Sequence, residues 1–203
     1  MNNGKWRERI ERRSDITSKL VHLTSNNDSL QAFDVLKKIL QEKKINGSGK
    51  EGYINGCDKC VCFQDVPILN IAENVRYEFE KNSIDGTYKR KERKFGIRVD
   101  KELVYKRGGR PVIYGDREEL KEILDPSMYW RIVSMNLETE NMIDWSFERE
   151  WRVKDSFEFE YSDVEVILPG YDKYKEFVAY CINENIELLK QIKGIVILES
   201  VIS

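Results

Sequence analysis

Apolar positions recur along this chain at two spacings, and the alternation between them lays out the expected elements. Leu20-Val21-His22-Leu23-Thr24 reads as a short strand, followed by a polar turn at Ser25 to Ser29. Leu30, Phe33, Leu36 and Leu40, with Val35 and Ile39 beside them, carry the period of an amphipathic helix over 30–44, with Asp28 or Ser29 as its N-cap. Gly47, Gly49, Gly52 and Gly56 punctuate a loop into a second strand, Lys59 to Phe63. Pro67 suits the first turn of a helix over 67–80 whose apolar stripe is Leu69, Ile71, Val75 and Phe79. The stretch 82–93 is polar and reads as exposed.

Further on the elements shorten. Phe95 to Val99 reads as a strand, Lys101 to Tyr105 as one helical turn, and Arg107-Gly108-Gly109-Arg110-Pro111 as a turn into Val112 to Tyr114. Arg117 to Leu124 is a short helix stopped before Pro126. Tyr129 to Met135 fits a helical or an extended element equally. Glu150 to Val153, Phe157 to Tyr161 and Val164 to Leu168 read as consecutive strands, Tyr174 to Ile192 as a helix, and Ile195 to Leu198 as a final strand. Short strands among segregated helices predict an α+β fold: one domain over residues 1–203, with small mixed sheets and flanking helices. A basic segment over 1–19 leads into it.

Composition narrows the classes. The chain has 203 residues, 40% of them hydrophobic and 34% charged, which suits one solvated core rather than a disordered or membrane-embedded chain. No apolar run approaches the length of a membrane span, and the N-terminal residues lack a secretory signal, so a cytoplasmic location without membrane attachment is expected. The formal charge of -2 gives no global attraction to nucleic acid, and only local clusters supply it.

Four groups of residues are candidates for chemistry. His22 is the single histidine, two residues from Thr24, so both side chains share one strand face. It is either a hydrogen-bonded structural histidine or an acid–base group. Cys57, Cys60 and Cys62 offer one Cys-x-x-Cys and an extra thiol, with only the distant His22 or Cys181 as a fourth zinc ligand; packing or loop cysteines, and no metal, are expected. In Asp144-Trp-Ser-Phe-Glu148-Arg-Glu150-Trp-Arg152, an extended backbone puts 148, 150 and 152 on one face. That face is either a satisfied Glu–Arg network or a carboxylate site for a hydroxylated or cationic ligand. The basic glycine turn Lys106 to Pro111, with Arg107 and Arg110, offers backbone N–H groups and guanidiniums to a phosphate or is a solvated loop.

The order of these motifs is similar to that of small bacterial abortive-infection (AbiGi-like) proteins over residues 13–170, Glu148-Arg-Glu-Trp-Arg152 being the best-matching segment. It also resembles a diverged ADP-ribosyltransferase fold. That resemblance implies His22 on the first core strand, with Thr24 after it, Phe63 on the second, and Glu148 and Glu150 as a Glu-x-Glu pair on a later strand. Phe63 stands where those enzymes carry tyrosine or serine, so it flanks a nicotinamide ring without donating a hydrogen bond. The implied activity is binding of NAD as substrate and transfer of ADP-ribose to a macromolecule, a nucleic acid or a protein, in phage defence or counter-defence. Glu150 would stabilise the positive ribose. His22 would orient the other ribose or the diphosphate, and Arg152, Arg107 or Arg110 would neutralise phosphates. The competing expectation is a non-catalytic antitoxin- or inhibitor-like module in which His22 and Glu150 are structural and the tryptophans mark packing or an interface.

Overall fold

The structure, a computed structural model, describes residues 3–27, 29–49, 54, 58–84, 93–138, 140 and 142–202. Asp28, Gly52, Gly56, Cys57 and most of the polar stretch 82–93 lie outside the described residues.

The strand readings at Leu20, Lys59, Phe95, Glu150, Val164 and Ile195 all locate strands, which join one mixed sheet, with two small two-stranded sheets and flanking helices beside it. Helix α1 (Asn3–Glu11) leads into β1 (Lys19–Thr24), α2 (Ala32–Glu42), β2 (Lys44–Asn46), β3 (Cys60–Gln64) and α3 (Ile68–Ile84). Then come β4 (Phe95–Asp100), α4 (Lys101–Lys106), β5 (Arg110–Pro111), β6 (Ile113–Gly115), α5 (Arg117–Ile123) and, after a 3-10 segment Pro126–Arg131, β7 (Ile132–Ser134). The chain closes with β8 (Glu150–Lys154), β9 (Ser156–Glu158), β10 (Val164–Leu168), α6 (Tyr171–Glu184), α7 (Ile186–Gln191) and β11 (Gly194–Ile197). A seven-stranded sheet runs β11-β10-β4-β1-β3-β8-β5, with two-stranded ribbons β2-β9 and β6-β7 beside it. Its pairs are antiparallel except β10 with β11.

Alternation along each strand divides the core in two. Leu20, Val61, Phe63, Ile97, Val99, Val153 and Val166 face one side, where Leu36 and Leu40 of α2, Phe177 of α6 and Leu188 of α7 cover them. Val21 and Ile167 face the other, under Ile71 and Ala72 of α3 and Leu198. We call these the first and second faces. Gly96, paired with Leu23 and Ile167, permits the closest strand approach: a Cβ there would lie 2.1 Å from the His22 carbonyl oxygen.

Four local expectations are corrected. Gln31 stands at the N-cap of α2 without a side-chain cap, and it is Asn26 Oδ1 that accepts the Ala32 N–H at 2.8 Å. On α3, Leu69 and Phe79 are exposed at 46% and 55%, and the inward stripe is Ile68, Ile71, Ala72 and Val75. The helix expected over 174–192 is two, because Asn185 leaves helical geometry (φ -158) and caps α7 by accepting the Leu188 N–H. The strand expected over 157–161 ends at Glu158, and Tyr161–Asp163 form a 3-10 turn closed by a Glu160/Asp163 capping box.

Candidate functional site

The sheet parts between β1 and β3. A single register pair, Val21 with Gln64, joins them, whereas six pairs join β1 to β4 and five join β3 to β8. His22 closes the gap from the first face, its Nδ1 lying 2.8 Å from the Cys62 carbonyl oxygen. A carbonyl only accepts, so Nδ1 carries the proton and the neutral ring keeps its lone pair on Nε2. Burial holds the imidazole below its ordinary pKa; the Cys62 carbonyl pulls upward and the Arg93 charge pushes down again. The Phe63 ring meets it edge-on at 5.8 Å between centroids. Thr24 points the same way but is spent: its hydroxyl donates to the Ala32 carbonyl at 2.9 Å, fastening α2 to the sheet.

A cleft of about 250 Å³ opens on the second face. Leu23 and Gln64 form its floor, on either side of the parted strands, and Asn74, Val75 and Tyr77 of α3 stand as one wall. The lining also includes Glu78 of α3, Arg93 just before β4, and Phe147 and Glu148 just before β8. The Glu148 carboxylate, 13% exposed, accepts from Arg93 Nη2 at 2.9 Å. A local device aims it there. Asp144 Oδ1 accepts the Ser146 N–H at 2.8 Å and starts a 3-10 turn over Ser146–Glu148. Arg149 then takes a left-handed conformation (φ 43) before the chain enters β8. The same Ser146 hydrogen bonds hold the Asp144 carboxyl below its usual pKa.

Glu150 belongs to a different environment. Register places Gln64 opposite Glu150 and Phe63 opposite Trp151, so Glu150 shares the second face with Gln64 while Phe63 and His22 occupy the first. His22, Phe63 and Glu150, which the resemblance implies as residues of one site, therefore lie on opposite faces of the sheet. The Glu150 carboxylate binds Arg152, Nε to Oε1 at 2.8 Å and Nη2 to Oε2 at 3.3 Å. Arg152, 3% exposed, also donates to the Trp130 carbonyl at 2.7 Å and the Ile132 carbonyl at 3.3 Å. This is a satisfied buried network, and it ties β8 to the Pro126–Arg131 segment and β7. The Glu150 N–H donates to the Tyr114 hydroxyl at 2.8 Å; burial pushes that phenol up to about 12, the N–H opposing and the Glu150 charge assisting.

The remaining candidates sit apart from the cleft. In the glycine turn, the N–H groups of Arg107, Gly108 and Gly109 close on the Leu103, Tyr105 and Val104 carbonyls, with Gly108 at φ 89. This is a helix C-cap for α4, so its N–H groups are not free to cradle a phosphate. Arg110 lies on the edge strand, its Nη1 on the Tyr105 and Gly109 carbonyls. Cys60 is buried in a small cluster with Ile54 and Trp130, and Cys62 packs against it. Burial pushes the Cys60 thiol up to about 11 and raises that of Cys62 well above the usual value. Among the described residues no group of three or more His, Cys, Asp or Glu could hold a metal ion. Nor is any of their helices long and apolar enough to cross a membrane.

Sequence reasoning missed Arg93, Gln64, Asn74 and Tyr77. Arg93 lay in a stretch read as solvated, and only its position one residue before the Lys94–Phe95 entry into β4 hinted that it is held. Comparison with protein-family models, with curated proteins and with solved structures gave no match.

Proposed function

We propose that this protein binds NAD and transfers ADP-ribose to a macromolecular acceptor, in the phage-defence setting that its motif order implies, with Glu148 rather than Glu150 as the working carboxylate. The observation that carries the reading is the sheet order. The strands bearing His22, Phe63 and Glu150 are consecutive (β1-β3-β8), and a cleft lined by Glu148, in the turn that leads into β8, opens where the first two part. At about 250 Å³ the cleft is smaller than a site for a whole dinucleotide and suits its nicotinamide–ribose half.

The chemistry follows from the lining. The bond from ribose C1′ to the nicotinamide nitrogen breaks, its electron pair leaving with nicotinamide. The acceptor nucleophile then bonds to C1′ and loses a proton. Positive charge builds on the ribose meanwhile, and the Glu148 carboxylate, paired with Arg93, stabilises it. Glu148 has acceptor capacity beyond the Arg93 contact for a ribose hydroxyl. Tyr77 and Phe147 supply flat walls for the nicotinamide ring, and Arg93 presents its other N–H groups to the diphosphate.

Nicotinamide release from NAD, with and without DNA, RNA or cell extract, tests this. Glu148→Gln should lower release about 100-fold with an unchanged melting curve. No release and no NAD-dependent thermal shift from folded protein would overturn the proposal. One observation favours a second reading, a non-catalytic antitoxin- or inhibitor-like module: the cleft carries exposed aromatic surface, with Tyr77 and Phe147 of its lining 53% and 47% exposed and Trp145, its ring 6.0 Å from that of Phe147, 39% exposed. On that reading Glu148→Gln weakens capture of a protein partner and no nicotinamide appears.

A further inference from the structure

The glycine turn that fails as a backbone phosphate cradle builds a different feature. Arg110 and Arg131 both hydrogen-bond to carbonyls at the edge strand β5, and the Arg131 guanidinium is disfavoured by burial first and by the Arg110 charge second. Arg131 Nε donates to the Pro111 carbonyl at 2.9 Å, and Arg110 Nη1 donates to the Gly109 carbonyl at 2.7 Å and the Tyr105 carbonyl at 3.1 Å. Both guanidiniums are thus fixed by neutral carbonyls. Among the described residues neither they nor the neighbouring Lys106 and Arg107, both exposed, has a carboxylate within ion-pair distance. Holding like charges side by side without a counter-charge is unfavourable unless an anion completes the group. The Arg110 guanidinium carbon also lies over the ring of Tyr105, at 4.1 Å from its centroid, and Tyr105 is 53% exposed.

We infer that this edge binds single-stranded nucleic acid, with Lys106, Arg107, Arg110 and Arg131 on successive phosphates and the Tyr105–Arg110 stack receiving a base. Charge complementarity selects a polyanion. The planar cation on an exposed aromatic ring selects one that carries bases, since stacking on such platforms is the sequence-tolerant part of single-strand recognition. The whole chain carries a formal charge of -2, so the attraction is local and must vanish with local substitutions. The surface is built from residues outside the cleft and does not depend on what the cleft binds.

Fluorescence anisotropy of labelled 20-nucleotide DNA and RNA single strands, titrated with the full chain at several salt concentrations, tests the inference. Four phosphate contacts at about 0.7 counterions each predict a loss of about 50-fold in affinity between 50 and 200 mM salt. Arg110→Ala with Arg131→Ala should reduce that loss to about 7-fold. Lys106→Glu with Arg107→Glu, both exposed and free of structural contacts beyond the backbone cap, should weaken binding at least as much with an unchanged melting curve. Glu148→Gln should bind normally. Absence of binding at 50 mM salt, binding by both double variants as tight as the parent's, or equal competition by polyglutamate would each overturn the assignment.

Discussion

Removing the charge of Glu150 is the sharpest test of how the region around the cleft is built. In Glu150→Gln the side chain keeps its size and one acceptor, but Arg152 is left 3% exposed with its positive charge uncompensated. Arg152 retains its bonds to the Trp130 and Ile132 carbonyls, so part of its solvation survives. Breaking a buried pair at one partner costs about 3–5 kcal/mol, and the retained bonds place this variant near the lower end, about 3 kcal/mol. For a chain of this length that is a fall of about 6–12 °C in Tm. Glu148→Gln should cost under about 1 kcal/mol, because its Arg93 partner is 39% exposed and remains hydrated. Replacing both buried partners, Glu150→Leu with Arg152→Met, should be less harmful than Glu150→Gln alone, since no charge remains stranded. Urea denaturation read by both tryptophan fluorescence and circular dichroism measures the three variants. Equal costs for Glu150→Gln and Glu148→Gln would refute the division into a structural and a working carboxylate.

Three further outcomes are expected. Gly96→Ala should fail to fold or lose most of its stability, seen as poor recovery and a low urea midpoint, because the new Cβ meets the His22 carbonyl rather than a movable side chain. His22 has a depressed folded pKa, so its contribution is fully present above the unfolded value near 6.5 and is lost as pH falls below it; stability measured from pH 7.5 to 5 should decline less in His22→Gln than in the parent. The Cys60 and Cys181 thiols, both pushed up to about 11, are about 0.1% thiolate at pH 8, so maleimide mapped by peptide mass spectrometry should label them only after unfolding.

The fold was legible where one physical rule governs a segment. Period-two alternation found β1, β3, β4 and β10, because each is buried on at least one face and its register is thereby fixed. Local pattern says nothing about how strands associate, so the assembly of seven into one sheet, and the gap between β1 and β3, were not readable. The break between α6 and α7 was hidden for a related reason. Asn185 is a passable helix residue, and its role appears only once its side-chain nitrogen donates to the Tyr161 hydroxyl at 2.9 Å and its oxygen caps α7.

The candidate site failed at one residue. A strand running from 148 to 152 puts both glutamates and Arg152 on one face, and that was the expectation. Arg149 instead adopts φ 43, a conformation costly for a side-chain-bearing residue, and it is held there by its own contacts. Its N–H closes on the Ser146 carbonyl, its carbonyl accepts the Asp65 N–H, and its Nη1 donates to the Asp15 carbonyl at 2.7 Å. These contacts turn the chain between the two carboxylates, so Glu150 enters the sheet and pairs with Arg152 while Glu148 swings over the gap to Arg93. Neither propensity nor alternation announces a left-handed arginine, because the contacts that offset its strain come from residues 84 and 134 positions away in the sequence. The two glutamates look equivalent in a sequence and are opposite in kind in the structure, and the left-handed turn between them is the cause.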